Sequence, residues 1–176
     1  MFSKILVALD QASSNHLIFD HAVELAKSNH ATLMLLHVLS PFDQDYPTTV
    51  YPSVDGIYIG LHEQAMQTYA NQWKRYEQQG FEMLRSLQEE ARSAGVTTEF
   101  TQNLGDPGRA ICAVAQTWNA DLILLGRRGR KGFSELFLGS VSNYVLHHAP
   151  CSVLTIQGQV QPQTPLESSD AVTVHS

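Results

Sequence analysis

Apolar runs of strand length alternate along the chain with stretches that repeat every three to four residues. Lys4–Leu9 reads as a first strand. Ser13–Ser28 reads as a helix, with Leu17, Ile18, Ala22, Leu25 and Ala26 on one face and Ser13 or Ser14 as its cap. Ala31–Leu39 is a second strand, whose unbroken apolar character suits burial on both sheet faces. Residues 40–60 break the rhythm with Pro41, Pro47, Pro52 and Gly56 among Tyr46, Tyr51 and Tyr58, and predict a long loop.

A helical period returns from His62 to about Ala94, where Tyr69, Trp73, Tyr76, Gly80, Leu84, Leu87 and Ala91 share a face. Gly80 weakens that helix or bends it, and Gly95 ends it. Val96–Leu104 predicts a third strand. Asp106-Pro107 opens the next helix, because a carboxylate caps and proline is tolerated at the first position. Asp121–Leu125 is a fourth strand, Val141–His148 a helix stopped by Pro150, and Ser152–Ile156 a fifth strand. The order β-α-β-α-β-α-β-α-β predicts a single α/β domain: a parallel sheet covered on both faces, joined by right-handed crossovers. Residues 1–157 form that domain. Residues 158–176, rich in Gln, Pro, Ser and Thr, have little to bury and read as a disordered tail.

Composition narrows the function. With 176 residues, one core suffices, and 43% hydrophobic content excludes wholesale disorder. A formal charge of -6 argues against a general nucleic-acid binder. The first apolar run is too short for a signal peptide, and none is long enough to span a bilayer, so a cytoplasmic protein is expected. Cys112 and Cys151 sit in apolar settings outside any CxxC pair and read as free thiols.

In open parallel sheets, ligands bind beyond the carboxyl ends of the strands. Two segments should meet there, one beginning at Asp10 and one at Gly126. The second carries Gly126-x2-Gly129-x9-Gly139-Ser140 directly after an apolar strand. Glycines let backbone approach a ligand closely. The amides of Gly139–Ser142 at a helix start point outward, and the helix dipole favours an anion there. Ser140 and Ser142 add hydroxyls, so the segment suits a phosphate. Arg127 and Arg128 either reach over that phosphate or form a solvated loop surface. Asp10 either touches the ligand or caps the first helix.

Rival motifs fail. Arg130 stands where a Walker A loop needs glycine before its lysine, and DQASSN follows the first strand where a dinucleotide fingerprint needs GxGxxG. GSVSN is not GxSxG, and the eight histidines form no metal-ligand spacing. No pair of side chains is placed for catalysis.

The glycine pattern resembles the ATP-binding signature of the universal stress protein family. KILVALD, His37-Val38, Gly105–Pro107, ADLILLG and APCSVL also sit where that family has them, so the likeness covers roughly residues 3–157. It implies a Rossmann-like, adenine nucleotide α-hydrolase-like fold with strand order 3-2-1-4-5. It implies a bound adenine nucleotide (ATP, or ADP or AMP), with Mg²⁺ accompanying the phosphates. Asp10 would contact the adenosine end and Val38 would line the adenine pocket. Gly126 and Gly129 would approach ribose and phosphate, and Gly139, Ser140, Val141 and Ser142 would hold phosphate oxygens. Gln11-Ala12 departs from the smaller or glycine-containing turn of many relatives. The resemblance also implies a homodimer paired through the edge strand at 151–156. The function expected is stress response or signalling through the nucleotide-bound dimer, with at most slow ATP hydrolysis. Two alternatives stand beside it: an adenine-nucleotide-using enzyme of the same superfold, and a partner-binding module with a vestigial pocket.

Overall fold

The computed structural model describes residues 1–11, 15–41, 46–47, 59–127 and 139–157. Ser13, Ser14, Gly129, most of the 40–60 segment and the 158–176 tail lie outside the described residues. Among the described residues, nine elements follow one another: β1 (Lys4–Leu9), α1 (Asn15–Asn29), β2 (Thr32–Leu39), α2 (Ile59–Ser93), β3 (Thr98–Leu104), α3 (Pro107–Trp118), β4 (Leu122–Gly126), α4 (Ser140–His148) and β5 (Ser152–Ile156). The strands form one sheet in the order β3-β2-β1-β4-β5, every pair parallel.

Strand alternation divides the apolar residues between two cores. Ile5, Val7 and Leu9 of β1 join Leu33 and Leu35 of β2 and Leu122 and Leu124 of β4 on one face, under α1 and α2. Leu6, Met34, Leu36, Ile123 and Leu125 point the other way, under α3 and α4. Both faces of the central strands are thereby buried, which explains why their sequences are continuous apolar runs rather than alternating ones.

The element order matches the one read from the pattern, and several boundaries move. The long helix starts at Ile59, inside the segment expected to be loop, and runs unbroken through Gly80 to Ser93. Gly80 is neither a break nor an end. A Cβ there would lie 2.5 Å from His37 Nδ1 and 2.8 Å from Gln102 Nε2, so its bare backbone lets α2 press onto β2 and β3. Asp106 caps α3 as its sequence suggests: Oδ1 accepts the Arg109 N–H at 2.9 Å, with Pro107 at the first turn.

The end of the sheet where β1 and β4 begin is closed by Asp121. Its carboxylate accepts the N–H groups of Ser3 (2.7 Å) and Lys4 (3.1 Å), and Lys4 Nζ donates to the Trp118 carbonyl at 3.0 Å. Cys112 and Cys151 are free thiols. Burial pushes both above the usual thiol range, helped at Cys151 by Asp121 and then by Cys112. Among the described residues, no helix is long and apolar enough to cross a membrane.

Candidate functional site

The opposite end of the sheet, where the strands terminate, gathers those of the expected site residues that are described: Asp10, Val38, Gly126, Arg127 and Gly139–Ser142. Leu9 pairs with His37, and Ala8 pairs with both Leu36 and Leu125. Carried one or two steps further, that register sets Asp10 level with Val38 on one side and Arg127 on the other. Adjacent strands lie about 4.8 Å apart, so these three positions span about 10 Å of a single rim. The crossovers from β1 and β4 leave the sheet toward opposite faces here, which opens a crevice between them.

Two polar contacts set the β1–β2 side of the rim. The Asp10 N–H donates to Asn15 Oδ1 at 3.1 Å, and Asn15 is itself buried, its Nδ2 lying 3.5 Å from Met83 Sδ. Asn15 therefore ties the turn after β1 to the start of α1 and to α2. Beyond β2, the buried Ser40 backbone is held by Tyr76: Oη accepts the Ser40 N–H at 3.1 Å and donates to its carbonyl at 3.4 Å. Tyr76 and Trp73 in turn pack edge-on against Tyr46, with ring centroids 5.8 and 5.6 Å away. The Trp73–Tyr76 stripe is thus packing surface, and Tyr46 is spent on it. Neither Asn15 nor the Tyr76–Ser40 contact was singled out from the sequence. A polar residue at a helix start six positions after a strand was the available signal for Asn15.

The β4 side is built around one carbonyl. Arg127 donates its N–H to Ile156 at 2.8 Å, which continues the β4–β5 ladder by one residue. Its carbonyl then accepts the Gly139 N–H at 3.0 Å and the Ser142 hydroxyl at 3.0 Å. Ser142 Oγ also lies 3.0 Å from the Gly139 carbonyl, and the residue is buried at 2% exposure. Its single hydroxyl proton is committed inside the protein. Ser142 thus secures the helix start rather than presenting a free hydroxyl, and the Gly139 amide is occupied as well.

What remains at the start of α4 is the set of amides of Ser140, Val141 and Ser142, which have no carbonyl a turn earlier within the helix. Gly139 is the N-cap, with φ -61° and ψ 154° and no side-chain cap bond. Any residue could adopt that φ. The glycine matters because it carries no side chain: serine or aspartate there would satisfy an amide itself. The Val141 side chain packs against the second core, so only its backbone is available, while Ser140 is exposed. Close packing with α3 fixes the pose of α4, since a Cβ on Gly108 would come within 2.7 Å of the Tyr144 ring.

Among the described residues, no group of three or more His, Cys, Asp or Glu side chains could hold a metal ion. A polar groove between Asn71 and Glu82 is lined wholly by α2.

With this geometry in place, comparison with known proteins decides the family. The model for the universal stress protein family matches residues 1–157. The chain belongs to that family. The universal stress protein Sll1388 of Synechocystis is 38% identical over 163 residues, covering 89% of this chain and 98% of the relative. Among solved structures, a universal stress protein in complex with cAMP superposes with a TM-score of 0.57 at 20% identity, covering 89% of this chain and 97% of that one. The universal stress protein from Archaeoglobus fulgidus in complex with dAMP gives a TM-score of 0.57 at 17% identity, covering 87% and 96%. At those identities the likeness to this universal stress protein is one of fold.

Proposed function

We propose that this universal stress protein binds an adenine nucleotide, ATP in the first instance, across the rim formed by Asp10, Val38 and Arg127. One observation carries the reading: α4 starts with a side-chain-free cap, anchored by the Arg127 carbonyl, so that its next amides are left for an anion. Val38, with 9% exposure, gives the rim an apolar surface for a base. Asp10 lies one strand away, toward the nucleoside. Gly126 ends β4 without a side chain where the ligand would pass, and the Arg127 side chain and Gly129 belong to the same segment. Structural relatives that hold cAMP and dAMP support an adenine nucleotide as the ligand class. Mg²⁺ would arrive with the phosphates.

The protein acts through its occupied state, with slow hydrolysis at most, in the cytoplasm. It works as a homodimer. β5 is an outer strand, and Leu154 on it is 41% exposed, so a second copy extending the sheet would satisfy the open edge and cover that side chain. The test is titration calorimetry with ATP, together with mass spectrometry of small molecules released from the purified protein. Micromolar binding and a co-purifying adenine nucleotide are expected. No heat at millimolar ATP would overturn the reading in favour of a vestigial pocket, and turnover coupled to a second substrate would favour an enzyme.

A further inference from the structure

Gln11 immediately follows Asp10 at the end of β1. Its side-chain amide nitrogen is fully enclosed and meets no hydrogen-bond acceptor. A buried amide donor without a partner carries the desolvation penalty of an unmade bond, and such groups in native proteins call for a specific explanation. The backbone beside it is firmly held, because the neighbouring Asp10 N–H donates to the buried Asn15. The side chain, by contrast, gives up no donor bond from its nitrogen when it turns. A glutamine with a fixed base, three rotatable bonds and an unspent donor is poised to swing toward an acceptor that enters the crevice.

We propose that Gln11 is a ligand-binding residue, whose amide donates to the nucleoside part of the bound adenine nucleotide. The assignment rests on the nucleotide reading of this cleft and deepens it. The acceptor belongs to the nucleoside because the anion cradle stands at the end of β4, whereas Gln11 follows β1, one strand closer to β2 and the apolar Val38. Adenine ring nitrogens and ribose oxygens are acceptors of the kind a carboxamide N–H meets.

Two variants test it in the full chain freed of nucleotide. Gln11→Met keeps the length and removes the donors, and Gln11→Glu keeps the shape and replaces the donors with charge. For Gln11→Met, the affinities for ATP and for AMP should both fall by about 3- to 10-fold, the worth of one hydrogen bond. Its melting temperature without nucleotide should stay level or rise, because an orphaned donor has been removed. Gln11→Glu should bind both nucleotides more weakly still. Unchanged affinity in Gln11→Met, or a loss with ATP that is absent with AMP, would overturn the assignment while leaving nucleotide binding intact. A lowered melting temperature at unchanged affinity would do the same and make Gln11 a purely structural residue. Failure of the unaltered protein to bind either nucleotide would sink this inference and the functional reading together.

Discussion

Ser142 Oγ donates to the Arg127 carbonyl at 3.0 Å, across fifteen residues of chain. That bond, with the Gly139 N–H on the same oxygen, joins the first turn of α4 to the end of β4. Ser142→Ala removes the hydroxyl and leaves the carbonyl with one donor. Stability should fall by about 0.5–1.5 kcal/mol in urea unfolding, and the affinity for ATP should fall with it because the cradle loses its anchor. Full retention of both would show that the latch contributes nothing.

Gly139→Asp separates stability from binding. Aspartate is a favourable N-cap, so the helix should hold or gain a few tenths of a kcal/mol. Its carboxylate would take up the amides left open for an anion and repel phosphate. Calorimetry should therefore find at least a tenfold loss of ATP affinity in a protein that melts no earlier than the parent. Equal affinity would place the anion site elsewhere.

Thr155→Pro examines the outer edge. The Ile156 carbonyl faces β4, where it accepts the Arg127 N–H, so by strand alternation the Thr155 N–H faces outward, and proline removes it without taking a donor from the β4–β5 ladder. Light scattering should find monomer in place of the expected dimer. A dimer of unchanged mass would rule out pairing through β5.

Gly80→Ala sets two effects against each other. Alanine favours a helix interior by about 1 kcal/mol over glycine. Here its Cβ would stand 2.5 Å from a ring atom of His37, which is only 1% exposed. Overpacking of that kind costs about 1–3 kcal/mol, so the steric term wins and the variant should melt below the parent. A higher melting temperature would mean that α2 can move off the sheet.

The legible part of the protein was the local part. Runs such as Ile5–Leu9 and Leu122–Leu125 declared strands buried on both faces, and Asp106-Pro107 declared a helix start, because each depends on neighbours a few residues away. The start of α2 at Ile59 was missed, since the prolines and tyrosines just before it outweighed its first turn. Gly80 was read through helix propensity alone, whereas its role is set by His37 and Gln102 on other elements.

The amino-acid order by itself determined an alternating α/β chain with its glycine-and-serine segment after the fourth strand, because periodicity and turn chemistry are short-range. Only the tertiary structure decided which polar groups around the strand ends are already spent. The Gly139 amide and Ser142 hydroxyl converge on Arg127, Asn15 takes the Asp10 amide, and the Gln11 nitrogen is left over. A hydrogen bond depends on where two atoms meet in space, and those meetings follow from how the helices are laid on the sheet.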